Sequence, residues 1–112
     1  MTINGTQYKQ RNIVLIPFPF TDLTGAKKRP ALIISNEKIN KAEDRICCLI
    51  TSNPQSKGIK IKNIEKGILP FTSYVKPQRL FTIHKGLIKQ NICTISKEEY
   101  NKVLSSITNN IN

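Results

Sequence analysis

A chain of 112 residues is long enough to bury one hydrophobic core without disulfide or metal staples, and an apolar content of 38% excludes wholesale disorder. With 18 Lys+Arg against 7 Asp+Glu, the net charge of +11 points to polyanionic partners, nucleic acid first and an acidic protein segment second. No apolar run approaches the roughly 20 residues of a membrane span, and no apolar stretch follows a basic start, so the chain reads as cytoplasmic with no membrane partner.

In chain order, residues 1–7 are polar and expected to be loosely ordered. Residues 13–16 (Ile-Val-Leu-Ile) form an apolar run closed by Pro17 and Pro19, the pattern of a buried strand leading into a loop. Asp22-Leu23-Thr24-Gly25 is a turn signal, and residues 31–34 read as a second strand after Lys27-Lys28-Arg29-Pro30. Ser35-Asn36 caps a helical turn over residues 37–41. Residues 46–51 make a third strand, which Ser52-Asn53-Pro54 stops. Residues 58–64 alternate apolar and polar, so they predict one half-buried strand with a lysine-bearing wet face, broken at Gly67. Residues 71–75 and 79–83 are two further strands separated by Lys76-Pro77-Gln78, and residues 87–95 a weaker strand pair or a strand with a turn. Ser96 with Glu99 reads as a capping box, and Tyr100, Val103, Leu104 and Ile107 share one face of the helix that follows, with residues 109–112 fraying.

Adjacent Cys47 and Cys48 would point to opposite faces of a strand, so at most one could pair with Cys93. All three read as reduced thiols, and the single His84 supplies no zinc set. Many short strands and one C-terminal helix describe a mainly β protein, a small, strongly bent antiparallel sheet or barrel in a single domain over residues 1–112.

Three blocks occur in order. Residues 13–35 run Ile-Val-Leu-Ile-Pro-Phe-Pro-Phe-Thr-Asp-Leu-Thr-Gly-Ala-Lys-Lys-Arg-Pro-Ala-Leu-Ile-Ile-Ser; residues 46–52 run Ile-Cys-Cys-Leu-Ile-Thr-Ser; residues 73–85 run Ser-Tyr-Val-Lys-Pro-Gln-Arg-Leu-Phe-Thr-Ile-His-Lys. Together they resemble the MazF/PemK family of toxins over about residues 8–108. Where that family often has Gly-Asp before its first strand, this chain has Arg11-Asn12, and where it often has an acid near the late block, this chain has His84.

The resemblance implies an SH3-like barrel of the CcdB/PemK type and a homodimer. It also implies sequence-selective, metal-independent and cofactor-free cleavage of single-stranded RNA to 2′,3′-cyclic phosphate and 5′-OH ends. An acidic antitoxin would occupy the RNA groove, and operator DNA would be bound only through the antitoxin complex. Arg29 matches the family's Arg-Pro arginine and Thr51 the threonine of its third-strand block, so these are the implied catalytic residues. Phe18, Thr21, Asp22, Lys28, Ser52, Lys76, Gln78 and Arg79 are the implied RNA contacts.

The chemistry is consistent. A guanidinium fork and a hydroxyl aimed at the phosphoryl oxygens stabilise the charge that builds as a 2′-OH attacks its neighbouring phosphate. The general base stays open among Asp22, Glu65, His84, Arg29 in an unusual state, a phosphate oxygen and water. One of Phe18 and Phe20 belongs in the core and the other in the groove, without a choice between them. A groove of Lys60, Lys62, Lys76 and Arg79 is expected to take RNA and antitoxin alike. The alternative function is a non-catalytic nucleic-acid binder, or a topoisomerase poison, on the same fold.

Overall fold

A computed structural model describes residues 7–18 and 27–112. Expectations about residues 1–6, the turn at 22–25, Pro19 and Phe20 lie outside these. Seven strands form one antiparallel sheet: β1 (Asn12–Phe18), β2 (Lys27–Ile33), β3 (Asp44–Thr51), β4 (Ile59–Lys60), β5 (Ile64–Gly67), β6 (Tyr74–His84) and β7 (Gln90–Ile95), in the spatial order β4-β6-β3-β2-β1-β7-β5. A helical turn, α1 (Glu37–Asn40), follows β2, and α2 (Lys97–Ile111) closes the chain.

The order contains its own explanation of the sheet's curl. β4 and β5 are consecutive in sequence but lie at opposite edges of the sheet. Four Cα steps join Lys60 to Ile64, a reach of at most about 14 Å. Six interstrand spacings in a flat sheet would separate those edges by about 29 Å. The sheet therefore rolls into a half-barrel, and the expected single strand over residues 58–64 is instead divided between the two edges. Its apolar middle residue, Ile61, is buried and its N–H donates to the Ser73 carbonyl at 3.0 Å.

Other differences from expectation have local causes. β1 and β2 run through Pro17 and Pro30 rather than stopping beside them. Both prolines sit where the strand is paired on one side only: β7 pairs β1 over residues 12–15, and β3 pairs β2 over residues 31–33. A residue without an N–H is tolerated on such a local edge. The strands expected at 71–75 and 79–83 are one strand, β6, and residues 87–95 contribute β7 alone after a 3-10 turn over Lys85–Leu87. Within β6 the ladder to β3 jumps from Leu80 opposite Cys48 to Lys76 opposite Leu49, leaving Pro77-Gln78-Arg79 as a bulge.

Strand alternation puts apolar residues on both faces. Ile13, Leu32, Cys48, Ile50, Val75 and Ile95 pack under Tyr100, Val103 and Ile107 of α2. Val14, Ile16, Ala31, Ile33, Cys47, Ile83 and Ile88 form a second cluster on the other face. Cys47 and Cys48 do face opposite ways, and all three cysteines are free and buried. Arg45, only 1% exposed, ties the segment before β1 to the sheet: its guanidinium donates to the carbonyls of Gln7, Tyr8, Ala42 and Asp44 at 2.6–3.0 Å.

The cap of α2 is half of what the sequence suggests. Ser96 Oγ accepts from the Glu99 N–H at 3.2 Å, but the Ser96 N–H donates to the Asn63 carbonyl instead of to Glu99. The Glu99 carboxylate turns inward, where it is 2% exposed and accepts from the Lys62 N–H at 2.5 Å and Lys102 Nζ at 3.2 Å. Leu104, expected on the packed face, is 42% exposed, and the helix continues to Ile111.

Burial pushes the Glu99 carboxyl up, but the hydrogen bonds from Lys62, Lys102 and Asn63 outweigh it and leave its pKa below the ordinary value. A depressed carboxyl stabilises the fold above the ordinary Glu value, and that contribution fades as pH falls toward the lowered one. Glu99→Ala should therefore cost about 1–3 kcal/mol in urea denaturation near neutral pH, since it strands the Lys62 N–H. It should also flatten the acid limb of the stability–pH curve. An unchanged midpoint and an unchanged acid limb would refute this role.

Candidate functional site

Arg29 and Thr51 belong to neighbouring strands, and each lies two residues beyond the last paired couple, Ala31 opposite Leu49. The same antiparallel register carried outward sets the arginine across from the threonine. Alternation puts both on the face of Ala31 and Leu49, away from α2. Arg29 is half-buried, and its Nε is buried without a hydrogen-bond partner among the described residues. Such a donor is held in a costly state that an arriving acceptor relieves.

On its other side Thr51 pairs with Tyr74 of β6, and Tyr74 pairs with Lys60 of β4. Directly paired residues share a face, so Lys60, Tyr74 and Thr51 form a transverse row across three strands, which the β2–β3 register carried two residues outward would extend to Arg29. Beside Thr51 opens a cleft of about 260 Å³ whose described lining is Leu49, Thr51, Asn53, Ser56, Lys76 and Arg79, with two cations and no carboxylate among these residues.

The segment after β3 is ordered by its own side chains. The Asn53 N–H donates to Thr51 Oγ1 at 3.2 Å, which leaves the threonine proton free to be donated elsewhere. Asn53 Oδ1 accepts from the Gln55 N–H at 2.9 Å and caps the 3-10 turn Pro54–Ser56. The Ser56 carbonyl at the end of that turn holds Lys76 Nζ at 2.9 Å, leaving two ammonium protons for an anion.

Of the residues singled out from the sequence, Thr51, Lys76 and Arg79 meet in this cleft, with Arg29 across the register from Thr51. Gln78 is exposed on the bulge that carries Arg79. Lys28 and Ser52 are exposed, each adjacent in sequence to one of the paired residues. The expectations about Thr21, Asp22 and the ring of Phe18 fall outside what the structure describes. Lys60 and Lys62 do not join Lys76 and Arg79: they line a separate cleft past the β4 edge, so the single four-cation groove is two.

Two of the groups weighed as a general base are elsewhere. His84 pairs with Asp44 at the opposite end of the β3–β6 ladder, seven residues and about 23 Å along β3 from Thr51. Its Nδ1 accepts from the Gly86 N–H at 2.8 Å and its Nε2 lies 3.3 Å from Glu43. Glu65 lies on the far edge strand, where the Arg11 guanidinium at 2.9 Å holds its carboxyl below the usual range. Among the described residues no group of three or more His, Cys, Asp or Glu side chains could hold a metal ion. The site thus offers cations and a hydroxyl donor, a set that binds and stabilises a phosphoryl group. Asn53 and Tyr74 were not singled out from the sequence. Asn53-Pro54 looks there like a mere strand stop, and Tyr74 gains meaning only from its register.

A family model described as "PemK-like, MazF-like toxin of type II toxin-antitoxin system" matches residues 9–111. No curated protein sequence matches the chain. Among solved structures, the MazE–MazF complex of Deinococcus radiodurans (form II) superposes with a TM-score of 0.75 at 13% identity, covering 96% of this chain and 97% of that one. An endoribonuclease from a mycobacterial species gives 0.67 at 19% identity, covering 95% and 93%. The Mycobacterium tuberculosis toxin MazF-mt6 gives 0.66 at 19% identity, covering 88% and 94%.

Burial pushes the thiols of Cys47 and Cys48 up to about 12 and that of Cys93 up to about 11, so none supplies a thiolate near neutral pH. The native protein should leave a colourimetric thiol reagent unreacted near neutral pH and consume it fully once unfolded. Rapid reaction of the native protein would show that a thiol is accessible and ionised after all.

Proposed function

The chain belongs to the family of PemK-like, MazF-like toxins of type II toxin–antitoxin systems, and on that premise we propose that it is a cytoplasmic, sequence-selective endoribonuclease that cuts single-stranded RNA without a metal. The observation that carries this reading is the cleft lined by Thr51, whose charged residues among those described, Lys76 and Arg79, are both cations; Arg29 lies two residues beyond the last β2–β3 pair, as Thr51 does.

In this mechanism the RNA backbone crosses the Lys60–Tyr74–Thr51–Arg29 row. The scissile phosphate sits between Arg29 and Thr51, with Lys76 and Arg79 on adjoining phosphates. The 2′-oxygen of the preceding ribose attacks phosphorus, and a trigonal-bipyramidal arrangement forms. The bond from phosphorus to the 5′-oxygen then breaks. The Arg29 fork and the Thr51 proton bond the non-bridging oxygens as their charge grows, and Asn53 keeps the threonine oxygen oriented by donating to it. The 2′-OH proton passes to the general base, which stays open among Asp22, Arg29, a phosphate oxygen and water, and the departing 5′-oxygen takes a proton from that protonated group or from water. The products carry a 2′,3′-cyclic phosphate and a 5′-OH. Gln78, exposed on the bulge, together with Ser52 and Lys28, reads or grips the flanking strand.

The same cations suit an acidic antitoxin, which would compete with RNA, and the working unit is a homodimer that reaches operator DNA only through that antitoxin. The Deinococcus radiodurans relative was solved as a MazE–MazF assembly, which supports a partner of this kind.

Removing one preorganised donor typically slows such a reaction by about 100- to 1,000-fold. Arg29→Ala and Thr51→Ala should each reach that loss with the fold intact by circular dichroism. Arg29→Lys should stay impaired, because one ammonium does not reproduce a bidentate fork. His84→Ala should cut RNA at a near-normal rate. A 2′-deoxy residue at the scissile nucleotide should stop cleavage while binding persists, and EDTA should have no effect. Cleavage of the deoxy substrate, or loss of activity on chelation, would sink the mechanism. RNA left intact but shifted in a gel would favour the non-catalytic binder.

A further inference from the structure

Past the edge strand β4 lies a second cleft, of about 370 Å³, lined by Lys60, Ile61, Lys62, Ile64, Leu69, Pro70, Phe71 and Thr72. Its chemistry differs from that of the Thr51 cleft. Two exposed lysines line it together with Phe71, which is 38% exposed. No carboxylate among the described residues lines the cleft. Glu65, within the same stretch of chain, is held by Arg11, and Glu99, which accepts from the Lys62 N–H, is buried and also bonded by Lys102.

One residue links the second cleft to the ladder that carries Thr51. Lys60 lines the second and also begins the transverse row that leads through Tyr74 to Thr51. Two interstrand spacings, about 10 Å, separate the Lys60 and Thr51 backbones. A strand whose scissile phosphate lies at Thr51 therefore reaches Lys60 within a few nucleotides if it runs across the sheet toward β4. Along that path it meets the half-buried Tyr74 and then Lys60, which lines the same cleft as Phe71.

We propose that the Lys60–Lys62–Phe71 cleft is a flanking-nucleotide subsite, which takes single-stranded RNA on one side of the scissile bond by stacking a base on Phe71 and pairing phosphates with Lys60 and Lys62. It rests on the endoribonuclease reading above and adds to it a substrate-length requirement. A cationic rim over an exposed ring is the combination that single-strand grooves use, with the cations tracking the backbone and the ring accepting any base. Because stacking is tolerant of base identity, this subsite adds affinity for length and not for sequence.

The test uses the full chain and oligonucleotides carrying a 2′-deoxy residue at the scissile position, so that binding is read apart from cleavage. A core oligonucleotide of roughly four nucleotides is compared with versions extended to roughly ten, within the range that single-strand grooves cover. The extension is made on the 5′ side and the 3′ side in turn. Extension on one side should tighten binding by roughly tenfold or more, the scale of one stacked base. Phe71→Ala should abolish most of that gain, and Phe71→Trp should restore it. Lys62→Ala should lower the salt dependence of the extended oligonucleotide by about 0.7 in the log–log slope, the contribution of one phosphate contact in a single strand. A 2-aminopurine placed in the extension should be quenched on binding to the wild type and not to Phe71→Ala.

Equal affinity for core and extended strands, or a length gain that survives both Phe71→Ala and Lys62→Ala, overturns the subsite. If those substitutions weaken an acidic peptide and leave RNA binding unmoved, the cleft belongs to a protein partner and the assignment to RNA is overturned as well. Should the wild type bind in this length-dependent way but never cut unmodified RNA, the fault lies in the endoribonuclease reading and not in the subsite.

Discussion

Four Cα steps between Lys60 and Ile64 have to bridge the two edges of a seven-stranded sheet. The connection is held at each residue: the Ile61 N–H bonds Ser73, the Lys62 N–H bonds Glu99, and the Asn63 carbonyl receives the Ser96 N–H. Those bonds connect the rolled sheet to the first turn of α2, so the curl and the helix position are one arrangement. A buried carboxylate, Glu99, is the acceptor at the centre of it. Burial of a charge is tolerated there because backbone N–H donors and Lys102 surround it, and this is why the residue expected to close the helix cap is spent on the sheet instead.

With the sheet rolled and its register set, the opposite face becomes a chemical surface. The apolar pairs of β2 and β3 end at Ala31 and Leu49, and the first same-face residues beyond them are Arg29 and Thr51. Ladder pairing gives them a rigid support. The β6 bulge puts Arg79 in one cleft with Lys76, and the capped turn after β3 steadies both Thr51 and Lys76. The net charge of +11 favours polyanions near the whole chain, and Lys76 and Arg79 concentrate part of that charge in one cleft on this face.

Much of this was legible in the sequence because alternation and apolar runs are local signals. Cys47 and Cys48 facing opposite clusters, the strand of residues 46–51 and the helix after Ser96 follow from periodicity alone. What was not legible depends on distant partners. Pro17 and Pro30 look like strand breakers until pairing shows each on a one-sided stretch. The alternating residues 58–64 look like one strand until their halves find different edges. Glu99 reads as a cap and Leu104 as core until the Lys62 N–H claims the carboxylate. At the site, motif resemblance marked Arg29 and Thr51 without relating them in space, and the register puts each two residues beyond the Ala31–Leu49 pair on neighbouring strands. It also separates Lys60 and Lys62 from Lys76 and Arg79, and places His84 at the far end of the β3–β6 ladder.

The central claim is that Arg29 and Thr51 act on one phosphoryl group because a single strand register sets them face to face. Residues that act as a unit are strongly non-additive, whereas independent sites contribute separately. The most direct measurement is a double-mutant cycle on single-turnover RNA cleavage with Arg29→Ala, Thr51→Ala and the combined variant. The account predicts a combined loss little greater than that of either single substitution. A combined loss equal to the product of the two single losses would place the residues in separate roles and contradict it.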